Sequence, residues 1–348
     1  MSSPKVSVII PAYNRAHLIG VSLRSVLAQA FGDYEIVVVD DGSTDNTGDV
    51  VRSVAPGARY IRQENQGIPG VLNRCVTEAR GQYISFLGDD DALAPGALAR
   101  EAAILDAHPN VGFVHGTAWL MDQDGCLMCR QRPHFARGDY VRSGREETAD
   151  LLLSNHIVAP TVMARRRCFE DVGLFDLRFQ LYEDWNMWMR ILKRWDVAFV
   201  YAPITFYRVH RGVAGSVFRM ATPAELDRNR RLQIDEVLGD PDVPAELRRM
   251  RARAYAAHEL AVAVRCFDAG QAWSGRWRAL RALTGNAFGA LGPQGRAAAW
   301  LLAKSLVPEF AISRLRRACD GWRDAEHDED AETLTIESIL QGAAVPEG

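Results

Sequence analysis

The sequence predicts an α/β fold: a mostly parallel sheet with flanking helices, followed by an all-α region. Three observations predict it. Short apolar runs alternate with helical periodicity through the first ninety residues, the pattern of parallel strands joined by crossover helices. The second of these runs, Glu35–Asp40, is continuously apolar from Ile36 to Val39, as expected of a strand covered on both faces. From about Thr222 onward the strand pattern gives way to long stretches rich in Ala, Leu and Arg.

Taken in order, Val6–Ile10 is the first strand, closed by Pro11. Ala12–Arg15 is a turn, after which Ile19, Leu23, Val26 and Leu27 recur at helical spacing. Glu35–Asp40 is the second strand. It ends in Asp40-Asp41-Gly42-Ser43-Thr44-Asp45, a polar turn in which Ser43, Thr44 and Asp45 are helix N-cap candidates. Ala58–Arg62 is the third strand, Asn65-Gln66-Gly67 a loop, and Pro69 opens a helix that runs to about Ala79. The fourth strand, Gln82–Leu87, runs into Gly88-Asp89-Asp90-Asp91. Three adjacent carboxylates repel one another and cost desolvation, which a divalent cation with oxygen ligands relieves. The competing reading is a solvated acidic turn before the helix Pro95–His108.

Beyond that helix, Gly112–Met121 and Leu127–Arg130 read as a hairpin turned at Asp124-Gly125. Glu146–Leu153 is a short helix and Thr161–Ala164 a strand. Gly173–Asp176 is a turn leading to the amphipathic helix Tyr182–Ile191, whose first turn carries Glu183 and Asp184. Carboxylates there also suit the helix dipole, so a purely structural role competes with a chemical one. Val197–Tyr201 and Phe206–Val209 read as two further short strands, with His210 next. The helices expected after Thr222 are Pro223–Leu238, Pro244–Asp268, Gln271–Leu283, Pro293–Leu306 and Glu309–Cys319. Trp273, Trp277, Trp300 and the arginines near Arg314 suit peripheral contact with an anionic membrane, though such arginines are more often a solvated face over core side chains. The domain reading is 1–216 for the α/β body, 217–322 for the helical region and 323–348 for an acidic, mobile tail.

Bulk properties narrow the function. The 348 residues are 48% hydrophobic and 24% charged, with a net charge of -3, and give no sign of a nucleic-acid partner. No apolar run approaches bilayer length, and Met1–Lys5 leads straight into a strand, so neither a spanning segment nor a secretory signal is expected. The six cysteines are read as reduced thiols of a cytoplasmic protein. Cys126 and Cys129, with His134 nearby, fall short of four zinc ligands and read as hairpin core. No Gly-x-Gly-x-x-Gly follows the first strand and no Gly-Lys-Ser/Thr loop occurs, which disfavours hydride-transfer cofactors and Walker-type ATPases. The polar clusters instead all fall at the carboxyl ends of strands, where open α/β sheets bind ligands.

Those clusters resemble glycosyltransferase family 2, of GT-A fold, over the first two hundred or so residues. The matching pieces are Val6–Asn14, Glu35–Asp45, Asn65-Gln66-Gly67 with Asn73, the strand ending in Asp89-Asp90-Asp91, Gly173–Asp176, and Glu183-Asp184. The resemblance implies an inverting, metal-dependent transfer of a sugar from a nucleoside diphosphate to a hydroxyl acceptor, in bacterial glycan, glycolipid or natural-product assembly. It places the donor nucleotide on Pro11, Ala12, Tyr13, Asn14, Asp41, Asn65, Gly67, Asn73 and Asp89, with UDP first, then dTDP or GDP. It places Mn²⁺ or Mg²⁺ on Asp90, assisted by Asp91 and His210, and makes Asp184 the base. The chain departs from the family's usual pattern at Gly88, where a carboxylate commonly stands. The acceptor is a glycan, a lipid-linked sugar or a small molecule, and the enzyme sits in the cytoplasm or at the membrane's inner face. A sugar nucleotidyltransferase and a non-catalytic nucleotide-sugar-binding scaffold are the alternatives.

Overall fold

In a computed structural model, the buried strand β1 (Val6–Ala12) carries the sheet on both its edges. It pairs in parallel with β2 (Tyr34–Asp40) on one side and with β4 (Tyr83–Phe86) on the other, and β2 pairs in parallel with β3 (Arg59–Arg62). The described residues are 3–131, 133, 135–210, 221–285 and 335–342. They fall into two units: residues 1–147, 156–215 and 328–348 in the first, and 148–155 with 216–327 in the second.

The first unit is built on a ten-stranded sheet of order β3-β2-β1-β4-β9-β6-β10-β5. Past β4, the strand β9 (Met163–Arg165) lies antiparallel to both β4 and β6 (Val111–Met121). β6 then pairs in parallel with β10 (Asp196–Arg208), whose later half meets the short β5 (Ala92–Leu93). β7 (Leu127–Arg130) returns along β6 as the expected hairpin, and β8 (Tyr140–Arg142) pairs with β10. On one face Val6, Val8 and Ile10 pack against Ile19, Leu23 and Val26 of α1 (Ile19–Leu27). Burying such side chains stabilises the fold by about 1.5–3 kcal/mol each. The remaining helices of this body are α2 (Thr47–Val54), α3 (Gly67–Glu78), α4 (Ala97–Ala107), α6 (Arg166–Val172) and α7 (Glu183–Ile191), and α5 (Gly144–Leu151) has residues in both units.

Several expectations are corrected. Val197–Tyr201 and Phe206–Val209 are not separate strands but parts of β10, which absorbs Pro203 at register shifts on either side of it. A proline cannot donate to a ladder, so the strand continues by bulging there. α2 starts at Thr47 with Asn46 in the cap position and no side-chain cap bond. Ser43 is drawn away, its hydroxyl accepting from Asn14 N, and Asp45 bonds Thr47 and Ala16 N. Within the stretch expected to be an acidic mobile tail, Thr335 bridges to Cys126 and begins α12 (Ile336–Leu340). Ile336 N donates to Gly125 O, Glu337 pairs with Arg24 at 2.7 Å, and Ile336 and Ile339 pack with Trp119, Met121, Leu127 and Phe206.

The second unit holds α8 (Pro223–Gly239), α9 (Ala245–Arg249), α10 (Arg251–Asp268) and α11 (Ala272–Gly285). The expected helix Pro244–Asp268 is thus two helices meeting at Met250. A Thr222/Glu225 capping box starts α8, with Pro223 in its first turn. His258 and Arg278 both bond Asp227, and Arg278 and Arg231 reach Glu259, so this unit's centre is ionic as well as apolar. The helices expected at Pro293–Leu306 and Glu309–Cys319 lie outside the described residues, as does His134. Among the described residues no helix is long and apolar enough to cross a membrane.

Candidate active site

The carboxyl ends of β1, β2 and β4 are tied to one another by side chains. At the β1 exit Asn14 adopts a left-handed backbone, φ 53°. Its N–H donates to the Ser43 hydroxyl at 2.9 Å, and its side-chain oxygen accepts from Thr44 N at 2.8 Å. Asn14 is therefore the clasp between the β1 and β2 exits. Tyr13 beside it is held by its N–H, which donates to Asp89 Oδ2 at 3.1 Å, while its side chain stays 48% exposed. An aromatic ring with a fixed backbone and a free face suits stacking on a base.

Asp41, at the β2 exit, is buried and accepts three bonds: from Gln63 Nε2 at 2.7 Å, Gln66 N at 2.9 Å and Gly67 N at 3.0 Å. Asn65 Oδ1 also accepts from Gly67 N, at 3.2 Å. Gly67 has φ 74°, and a Cβ there would lie 3.1 Å from Gln180 Oε1, so a side chain is disfavoured twice over. Asp41 and Asn65 thus shape this loop. Asn73 is committed elsewhere: its amide nitrogen donates to Phe175 O and its oxygen accepts from Phe175 N, at 2.9 and 2.7 Å. Both sides of that amide fasten the Gly173–Asp176 turn to α3.

At the β4 exit the three carboxylates separate into different surroundings. Burial pushes Asp89 up to about 8, helped by the charge of Asp90 and opposed by Arg15, whose Nε stands 3.7 Å away. Asp90 Oδ2 lies 2.7 Å from His210 Nε2, a pairing across 120 residues of chain. Asp91 turns inward. It is 3% exposed, accepts Arg208 N at 2.8 Å, and is pushed well above the usual carboxylate range by burial and by Asp90. Asp90 and His210 thus stand together at the β4 exit, while Asp91 is bonded to the end of β10. Gly88 has a reason to lack a side chain: its Cβ would lie 2.5 Å from Asp91 Oδ2 and 3.1 Å from Asp90 Oδ1.

Sequence reasoning missed Arg208 and Arg15. Arg208 is 4% exposed, and its guanidinium donates to Asp90 O, Asp122 O and Gln123 O. It joins the carboxylate loop to the hairpin turn. Its place two residues before His210, on the same side of an extended segment, was the available signal.

α7 is fixed beside β4 by its aromatic residues. The Phe86 and Trp188 rings meet edge-on at 5.5 Å, and Phe86 also meets Phe175 at 6.2 Å. Asp184 lies one turn before Trp188 on α7. Tyr182 takes the cap position with φ 64° and no side-chain cap bond is made, so Asp184 is not the cap. Asp184 Oδ1 accepts from Trp185 N at 2.6 Å. Burial, then the charge of Asp184, pushes Glu183 up to about 8. Trp185 is 6% exposed and meets Tyr182 edge-on at 5.4 Å, so it packs rather than offering a platform.

Two open depressions lie at the other end of the sheet. One is lined by Asn110, Asp171, Arg194, Trp195 and Asp196, the other includes Lys5, Asp33, Arg80 and Gln82. Both adjoin the amino ends of strands and hold none of the residues above. Cys126 and Cys129 are free thiols in the hairpin.

A family model described as "Glycosyl transferase family 2" matches residues 7–172. The chain is 33% identical over 195 residues to a PGL/p-HBAD biosynthesis glycosyltransferase of Mycobacterium tuberculosis, a match covering 55% of this chain and 70% of that relative. Among solved structures it resembles S. aureus TarS 1-349 in complex with UDP-GlcNAc, with a TM-score of 0.56, 20% identity, and coverage of 74% of this chain and 81% of that one. It spans only 43% of a longer TarS chain. It also resembles the mannosyltransferase PcManGT of Pyrobaculum calidifontis in complex with GDP-Man and Mn²⁺, with a TM-score of 0.53, 20% identity, and coverage of 91% and 85%.

Proposed function

The chain belongs to glycosyltransferase family 2 and has its GT-A fold, and from that premise we infer that it is an inverting, metal-dependent transferase. It moves a sugar from a nucleoside diphosphate to a hydroxyl acceptor in bacterial glycan, glycolipid or natural-product assembly. The observation that carries the reading is the 2.7 Å pairing of His210 with Asp90 at the β4 exit, beside the β1 and β2 exits. It gathers a carboxylate, an imidazole and an exposed tyrosine where this kind of sheet binds nucleotides.

The residues suit Mn²⁺ or Mg²⁺: hard oxygen donors, one imidazole, and a crowded carboxylate in Asp89 that keeps a proton where no cation offsets its neighbour. Asp90 and His210 would hold the ion, with donor phosphates as further ligands. When bound it neutralises charge on the departing diphosphate. Tyr13 stacks on the base, and the loop shaped by Asp41 and Asn65 encloses the nucleoside. Asp89, fixed by Tyr13 N and Arg15, accepts from the ribose or the sugar. Asp184 takes the acceptor's hydroxyl proton as that oxygen bonds to the anomeric carbon and the carbon–diphosphate bond breaks on the opposite face. One displacement without a covalent intermediate gives inversion.

UDP sugars head the donor candidates, with dTDP and GDP sugars behind them; the UDP-GlcNAc and GDP-Man complexes of the similar structures support that class. Residues 1–216 form the catalytic body and 217–322 the helical region. Trp273, Trp277 and Leu280, exposed at 79%, 57% and 42% with helical spacing, support peripheral membrane contact and a lipid-linked acceptor. The test is donor hydrolysis with Mn²⁺ across UDP, dTDP and GDP sugars. Release of the nucleoside diphosphate that is lost in Asp90→Ala is expected. Neither release nor a thermal shift with any donor overturns the reading.

A further inference from the structure

Away from that site, β6, α5 and the segment following α5 bring His115, Glu147 and His156 together in the first unit. One ligand atom from each lies within 4.8 Å of the others. Glu147 Oε1 is 2.5 Å from His156 Nε2 and 3.9 Å from His115 Nε2. The side chains of His115 and Glu147 are fully buried and that of His156 is 8% exposed. Both ring nitrogens of His115 lack a hydrogen-bond partner. A buried polar atom left unpaired costs about 1–3 kcal/mol, so a fully buried imidazole with neither nitrogen engaged calls for a ligand.

We propose that His115, Glu147 and His156 form a structural site for a zinc-class cation, separate from the catalytic ion. Two imidazoles and one carboxylate suit Zn²⁺ and its neighbours, whereas Mg²⁺ favours a ligand set dominated by oxygen. Ligand bonds of about 2.0–2.2 Å at tetrahedral angles put donor atoms about 3.3 Å apart. The two distances to Glu147 Oε1 bracket that value, so each moves by less than about 1 Å on binding. The carboxylate is already aimed: its other oxygen accepts from Arg142 Nε and from Tyr140 OH, the latter at 3.2 Å. Such outer partners fix ligand orientation. Arg142 sits over the Tyr140 ring, 4.7 Å from its centroid, with 21% of its side chain exposed. Phe113, Phe199 and Phe135 wall the cluster, with centroids 6.2 and 5.0 Å from His115 and 4.2 Å from His156 respectively. The three side chains fill three of zinc's four positions, which leaves the fourth to a small ligand such as water.

The test uses the full chain without a polyhistidine tag, grown with added zinc and dialysed. About one equivalent of zinc per chain is expected by elemental analysis, with a melting temperature that falls when a chelator strips it. Asp90→Ala retains the zinc, and His156→Gln loses both the zinc and the chelator response. Less than about a tenth of an equivalent in the parent chain, or equal zinc in His156→Gln, overturns the proposal. Should His156→Gln fail to fold, Co²⁺ added to the stripped parent chain decides. The visible bands of four-coordinate nitrogen and oxygen ligation support it. No bands, or a thiolate charge-transfer band that would place the metal on Cys126 and Cys129, overturns it.

Discussion

Binding of Mn²⁺ to the proposed catalytic site should expel a proton and depend steeply on pH. In the metal-free protein Asp89 is pushed up to about 8, chiefly by burial and then by Asp90. Its folded value lies above its ordinary one, so it holds a proton below about pH 8, and a cation arriving beside it must displace that proton. Affinity therefore rises with pH and levels off above about 8. At about pH 6.5 the protonated form outnumbers the ionised one by about 30 to 1, and at about pH 8.5 by about 0.3 to 1. The apparent dissociation constant should be about 25-fold weaker at the lower pH. Calorimetry in two buffers of different ionisation heat reads both the affinity and the proton released. Asp89→Asn should flatten the dependence while leaving Mn²⁺ on Asp90 and His210. An affinity that is the same at both pH values, or binding without proton release, refutes the reasoning.

Other outcomes follow from the same geometry. Asp184→Asn should lower turnover with acceptor by about 10²–10⁴-fold while donor affinity, read by thermal shift, changes little. Tyr13→Ala should weaken donor binding by about 1–3 kcal/mol, equally for sugars sharing one nucleotide, as measured by calorimetry. Asn73→Ala removes both bonds to the Phe175 backbone and should cost about 1–3 kcal/mol in denaturant unfolding. Glu183 has a folded value of about 8, above its unfolded one, so its contribution to stability is complete below about pH 4.5 and lost as pH rises through about 8. Glu183→Gln should make the metal-free protein's loss of stability over that window shallower.

The strands and helices of the first ninety residues were legible because their apolar runs match the sheet's period and burial. Motif order gave the rim of the sheet as well. What the sequence could not say was which carboxylate faces the rim. Asp89, Asp90 and Asp91 are identical letters, and only the partners contributed by Tyr13, His210 and Arg208 separate them. Asn73 is hard to read for a related reason: an Asn suits a ligand or a backbone equally, and the Phe175 turn it bonds lies 102 residues away. β10 was split because Pro203 reads locally as a breaker, whereas pairing with β6 along its length carries the strand past it. The His115 cluster left no motif, since its members stand on three elements at irregular spacing.

The docked α12 sets a timetable for the chain. Its bed of Trp119, Met121, Leu127 and Phe206 is complete once Arg208 has been synthesised, yet Ile336 arrives more than a hundred residues later. At ordinary ribosomal speeds that is a gap of about six to twenty-six seconds. Throughout it the nascent body shows an open greasy patch beside the Asp122–Gly125 turn, the same turn that Arg208 ties to Asp90. Truncated forms ending near residue 216 would keep that patch bare for good, and clumping during expression is what they should show.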